Sequence, residues 1–297
     1  MTTRHKVTFT SEGASLTGNL FLPDGVGGPV PGIVVAGTWT SVKEQMADRY
    51  AEHMSNRGYA ALSFDFAGFG ESEGEPRDWE RPEAKVRDIH SAVSFLAGHA
   101  DVDADRLGAL GVCAAAMYMS AGAVEDTRIR SLALIAPWLH DPEICRDVYG
   151  GAEGVEAKLA DADKARARYE ATGEVEYVPV VSGSDPRAAM PMKVDFYLNP
   201  ERGGIPQWPN RFAVMGWRDW LTFDSIALAP RVSVPVVLVH SEDAAIPEGA
   251  RRFHTALDGP KNFVWTNGIQ FDFYDQDTTV TTAADAAAAH FATTLKA

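Results

Sequence analysis

Cysteine is scarce in this sequence. Its two thiols, Cys113 and Cys145, are too few for a disulfide framework and have no metal-ligand spacing. Neither H-E-x-x-H nor C-x-x-C occurs, and the glycines of the 25–28 loop form neither a G-x-G-x-x-G nor a Walker motif. No metal and no nucleotide cofactor is therefore expected. Positive charge is also in deficit: 27 Lys and Arg face 41 Asp and Glu, a formal net charge of -14. Such a surface repels polyanions, which argues against nucleic acid as a partner. Long apolar runs are missing. Nothing approaches the ~20 residues of a membrane span, and residues 1–6 lead into no apolar segment of the signal-peptide kind. Few thiols without an export signal predict a cytoplasmic protein. A homodimer is compatible with this composition.

What is present is ordinary globular material, 45% hydrophobic and 23% charged. Short apolar runs at residues 32–37, 59–66, 106–112, 131–136, 234–240 and 261–266 predict buried strands. Amphipathic stretches at 44–57, 83–99 and 281–296 predict helices. This alternation means an α/β fold, a mostly parallel central sheet with helices on both faces. Residues 6–10 and 15–22 read as an antiparallel hairpin at its edge. Between residues 141 and 224 the rhythm breaks, with glycine pairs at 150–151 and 203–204 and three tryptophans, Trp208, Trp217 and Trp220. This stretch is expected to be a cap inserted over the carboxyl edge of the sheet, where open α/β sheets bind ligands. The whole of residues 1–297 is expected to form one domain around it.

The chemistry is expected at Leu110-Gly111-Val112-Cys113-Ala114-Ala115-Ala116. A hydrophobic strand runs into a turn with small residues two before and two after Cys113, and a helix follows. That is the strand-turn-helix setting of a strained nucleophile. The helix N-terminus is expected to favour thiolate, and the Ala114 N–H to face a developing oxyanion. A buried structural cysteine is the plainer alternative. Gly70-Glu71-Ser72-Glu73-Gly74 also fits G-x-S-x-G, but it enters no buried helix and is rejected.

Asp65-Phe66-Ala67-Gly68-Phe69-Gly70-Glu71-Ser72 resembles the D-x-x-G-x-G-x-S loop of α/β-hydrolases. Gly37-Thr38-Trp39-Thr40 sits where that family places its first oxyanion donor, which implies Thr38 and Trp39 for this role. With cysteine at the elbow, the chain is similar to the dienelactone hydrolase branch, and the α/β-hydrolase fold follows from the resemblance. The family's acid is then sought after the fifth strand. Asp243 is the candidate, although Ser241-Glu242-Asp243-Ala244-Ala245-Ile246-Pro247 is one residue short of the usual spacing, whose acid position falls on Ala244. The family's histidine position is occupied by Gln270. Glutamine exchanges hydrogen bonds but takes no proton near neutral pH. His140 is considered as a substitute, His240 less so, and each has an ordinary structural reading. Glu44, Tyr118 and Trp138 are further candidates for the substrate pocket; Glu44 also reads as a helix-opening acid.

The leading expectation is a cofactor-independent thiol hydrolase or acyltransferase for an ester, lactone or thioester, with Cys113 as nucleophile and an apolar or aromatic small molecule as substrate. Gln270 keeps a second class open, an isomerase, cyclase or C–C lyase that does not hydrolyse. A ligand-binding protein without catalysis is the third.

Overall fold

A computed structural model describes residues 2–25 and 27–296; residue 1 of the opening segment and residue 26 of the glycine loop lie outside them. The strand prediction rests on runs such as Gly32-Ile33-Val34-Val35-Ala36, in which no residue carries a polar side chain for solvent. All five are buried in β3 (Val30–Ala36). Such strands require cover on both faces. The sheet has eight strands in the order β1-β2-β4-β3-β5-β6-β9-β10. The hairpin β1 (Thr2–Ser11) and β2 (Ala14–Pro23) is antiparallel and joins β4 (Ala60–Phe64) antiparallel. From β4 onward all pairings are parallel, through β5 (Val102–Val112), β6 (Ile129–Ile135), β9 (Val236–Ser241) and β10 (Lys261–Thr266). Helix α1 (Ala47–Ser55) packs with the last helix (Asp277–Thr294), as does α2 (Pro82–Ala97) with α3 (Ala115–Glu125).

Two boundaries differ from the prediction for identifiable reasons. The helix expected from residue 44 begins at Ala47, because the bonds before it do not have α spacing: Gln45 N donates to Val42 O, three residues back, at 3.1 Å, and Asp48 N to Lys43 O, five residues back, at 2.9 Å. Glu44 thus sits in a turn before the helix. The last helix begins at residue 277 rather than 281. Its opening Thr-Thr-Val-Thr-Thr has weak helix propensity, and burial of Val280, Ala283, Ala284, Ala287 and Phe291 on one stripe overrides it.

Residues 141–224, read as irregular, hold more regular structure than expected. They include α4 (Pro142–Val148), the 22-residue α5 (Gly151–Thr172), a ribbon of β7 (Tyr177–Val178) with β8 (Phe212–Ala213), α6 (Asp195–Leu198) and α7 (Gly216–Thr222). Helix α5 fully buries only Ala162 and Ala165, with Val155, Leu159 and Tyr169 partly buried along the same face, so its apolar stripe is thin and interrupted by small residues. The segment lies on the loops that leave the carboxyl ends of β3 and β4. Trp208 Nε1 donates to Thr40 O at 3.0 Å, Gln45 Nε2 to Gly203 O at 2.7 Å and Ala213 N to Asp78 O at 2.9 Å.

Candidate active site

Cys113 follows β5 directly and precedes α3, with φ at +56°, in the left-handed region that disfavours a side chain. The turn is tight enough that a Cβ on Gly111 would meet the Ala115 carbonyl and Ala116 N at 2.7 Å, so glycine is required two residues before Cys113. The Cys113 N–H donates to Ile135 O, and its carbonyl accepts from Ala116 N and Trp138 N. These bonds fix the backbone, and Ala114 caps α3. The competing G-x-S-x-G is not an elbow. Ser72 is buried, donating to Asp65 O and accepting from Thr17 N.

The thiol lies in an apolar wall set with hydroxyls. Burial pushes it above its ordinary value, while hydrogen bonding from Thr38, Tyr274, the Ala114 N–H and Gln270 pulls the other way. The expectation of a thiolate favoured by the helix N-terminus is therefore corrected, because desolvation of the charged form outweighs it. Tyr274 is buried, and its proton is held far more firmly than usual by burial and by the nearby sulfur. Tyr197 is also buried beside Thr38 and Tyr274, and it too senses Cys113. Above them, the Trp39 ring packs on Phe212, Trp217 and Trp220 at centroid distances of 4.8, 5.7 and 5.4 Å. Tyr149 closes this roof, with its hydroxyl accepting from Trp220 Nε1 at 2.8 Å.

Gln270 reaches this site and is locked there. Its Oε1 accepts from Ala245 N at 2.9 Å, and its Nε2 donates to Ala136 O at 2.9 Å and to the Tyr274 hydroxyl at 3.1 Å. The expected acid does not join it. Asp243 is exposed on its loop, whereas Ala244, at the family's acid position, is buried. The loop is one residue short, and its backbone at Ala245 takes the place of a carboxylate beside Gln270.

Other candidates are also corrected. Both His140 nitrogens are engaged, Nδ1 by Trp138 Nε1 at 2.8 Å and Nε2 by Trp220 O at 3.0 Å, and burial pulls the ring down to about 4. It is a packed core histidine, and Trp138 is its partner. Burial likewise lowers His240 to about 4. Tyr118 turns its hydroxyl onto Glu80 Oε1 at 2.6 Å instead of toward a ligand. Glu44 pairs with Lys43 Nζ at 2.7 Å and lines an outer cavity with Thr2, Arg4 and Arg49. Glu44, Asp65 and Glu71 form the only cluster among the described residues with metal-ligand geometry. The Lys43 ammonium already occupies its centre, 2.7, 2.7 and 2.8 Å from the three carboxylates, which hold its proton more firmly than usual although burial opposes them.

Sequence reasoning missed Tyr274, Tyr197, Tyr149 and Glu80. The tyrosines were unreadable because aromatic residues also fill ordinary cores. Only the position of Tyr274, four residues after Gln270 in the loop after the last strand, offered a signal.

Residues 12–157 match the sequence profile of the X-Pro dipeptidyl-peptidase (S15 family). The chain is 28% identical to the uncharacterised protein PA2218 of Pseudomonas aeruginosa, over 91% of this chain and 76% of that protein. The crystal structure of PA2218 superposes with a TM-score of 0.88 at 24% identity, covering 99% of this chain and 94% of that one. The α/β hydrolase GrgF from Penicillium sp. gives a TM-score of 0.81 at 22% identity, covering 98% and 99%. The fold is the α/β-hydrolase fold. Polyketide transferase ATR5 of Stachybotrys chlorohalonatus is 28% identical over 88% of each chain. The chain is an enzyme of this fold, and the proteins similar to it include an α/β hydrolase, a polyketide transferase and an acyltransferase. Among the described residues no helix is long and apolar enough to cross a membrane.

Proposed function

We propose that this protein is a cofactor-independent acyl-transfer enzyme of the dienelactone hydrolase-like type, in which Cys113 takes an acyl group from a thioester. The observation that carries this reading is the left-handed Cys113 at the elbow between β5 and α3, buried beside Thr38, Gln270 and Tyr274. The Cys113 Sγ–C bond forms as the substrate C–S bond breaks. The thiol proton passes to the departing sulfur, relayed by the Tyr274 hydroxyl, which accepts one proton as it gives another. The Ala114 N–H and the Thr38–Trp39 backbone face the carbonyl oxygen as it gains charge.

Thioesters suit this site better than esters or lactones. An alkoxide needs a strong acid on departure, and the nearest histidines at this edge are packed away. A departing sulfur, whose thiol has an ordinary value of about 8.5, needs no acid stronger than the Cys113 thiol whose proton it takes through Tyr274. Gln270 and Tyr274 cannot remove a proton from water at neutral pH. The acyl-enzyme should therefore wait for an acceptor with a more acidic proton, which makes transfer the expected outcome. The likeness to a polyketide transferase is in keeping with transfer. The neighbouring aromatic side chains Trp39, Phe212, Trp217 and Trp220 favour an apolar or aromatic acyl group.

Incubation with acyl thioesters of N-acetylcysteamine, followed by intact-protein mass spectrometry, should give one stable acyl adduct on the wild type and none on Cys113→Ala. Equal labelling of both proteins would sink the reading. Gln270 and the raised thiol favour a second one, an isomerase, cyclase or C–C lyase that uses the hydroxyl array to stabilise an oxyanion. Turnover without an adduct and without oxygen-18 from labelled water would establish that class instead.

A further inference from the structure

The loop that follows β3 and the helix that follows Cys113 come from different βα units, and the proposed oxyanion hole draws one donor from each. One buried side chain touches both. Glu80 is fully buried, in the segment that leads into α2. Its Oε2 accepts from Thr40 N at 2.9 Å, and its Oε1 accepts from the Tyr118 hydroxyl at 2.6 Å. Thr40 directly follows Thr38 and Trp39 and holds φ at +57°, a conformation a β-branched residue resists, so it stays there only if its surroundings hold it. Tyr118 stands one helical turn beyond Ala114 on α3, on the same side of the helix.

The charge on Glu80 is met inside the protein. Lys85 Nζ lies 2.6 Å from Glu80 Oε1, over the rings of Phe66, Phe69 and Tyr118 at 4.6, 4.4 and 5.2 Å. A buried ion pair in such a wall is commonly no more stabilising than well-packed apolar side chains of the same volume. Stability alone therefore does not account for it. A carboxylate does offer what an apolar residue cannot, two acceptors at fixed separation, here directed at two different elements.

We propose that Glu80 is a positioning residue for the oxyanion hole, fixing the Thr38–Thr40 backbone relative to α3 through Thr40 N and the Tyr118 hydroxyl. This rests on the acyl-transfer reading, under which misplacing one hole donor slows acylation of Cys113 and leaves its reactivity as a thiol intact.

The test compares two charge-neutral double variants, Glu80→Leu with Lys85→Met and Glu80→Gln with Lys85→Met, against the wild type. Three rates are read: acylation of Cys113 by an N-acetylcysteamine thioester, its alkylation by iodoacetamide, and hydrogen exchange of the amides of residues 38–41. Alkylation passes through no oxyanion and serves as the control. In the leucine variant acylation should fall about 10- to 100-fold, alkylation should stay within about twofold, and residues 38–41 should exchange faster; the glutamine variant, which keeps an acceptor, should recover part of the loss. Equal losses of acylation and alkylation, or no loss of either, would overturn the proposal. If the wild type takes no acyl group, the acyl-transfer reading fails, and exchange at residues 38–41 decides alone: faster exchange keeps Glu80 as the anchor of this loop, unchanged exchange removes it. If the leucine variant does not fold, the glutamine variant is read against the wild type, with a loss of about three- to tenfold supporting the proposal and none overturning it.

Discussion

At Cys113, burial and hydrogen bonding act in opposite directions, and the raised thiol shows that burial prevails. Alkylation proceeds through thiolate. A thiol above its ordinary value holds little thiolate at pH 7 and gains it as pH rises. Iodoacetamide modification of Cys113 should therefore accelerate about tenfold per pH unit from 7 to 9, with no plateau. A plateau below pH 8 would show a stabilised thiolate and contradict this account. Cys145, pushed up to about 12 by burial and by Asp141 and Asp224, should remain unmodified over the same range. Gln270 makes a second prediction possible. In Gln270→His the new imidazole would meet Ala245 N rather than a carboxylate, so hydrolysis of the acyl-enzyme should rise only modestly. Adding Ala244→Asp places a carboxylate at the buried acid position. The double variant should deacylate about 10- to 100-fold faster than Gln270→His alone, as single-turnover decay of the adduct would reveal. Equal rates would mean that the shortened loop cannot direct a residue-244 side chain at the site.

Among the elements, the segment 141–224 divides into held and loose parts, and the glycine pair at 203–204 does not mark a loose one. Gly203 is buried, its carbonyl taken by Gln45 and its N–H by Phe196 O, and Gly204 N donates to Asn199 O. Residues 182–193 are different: Gly183, Ser184, Pro186, Arg187, Pro191, Met192 and Lys193 are exposed in irregular structure. Limited trypsin digestion should cut first after Arg187 or Lys193, and a bound acyl group that tightens the cap should slow it. First cleavage between residues 106 and 136 would contradict the packing of the core. The strands were readable because a parallel strand buried on both faces needs an unbroken apolar run. Helix α5 was not, because only two of its residues, both alanines, are fully buried, and Val155, Leu159 and Tyr169 beside them are only partly covered.

For the molecule as a whole, sequence alone determined the alternation of strands and helices, the edge hairpin and the elbow at Cys113. Each of these is set by neighbours along the chain: apolar runs, glycine at a tight turn, small residues before a helix. It also determined that glutamine stands where a histidine is expected, since residue identity needs no folding. Tertiary structure decided what that glutamine does. Ala245, Ala136 and Tyr274 approach Gln270 from three separate segments and fix its amide, while Asp243 turns to solvent. It decided that His140 is packed away, because both of its nitrogens find partners in the folded protein. It also brought Glu80, Tyr118 and Thr40 together across as many as 78 positions of chain. No local pattern encodes such a meeting. It depends on which βα loops the strand order β4-β3-β5 sets side by side, and on a buried carboxylate having to find its hydrogen bonds there.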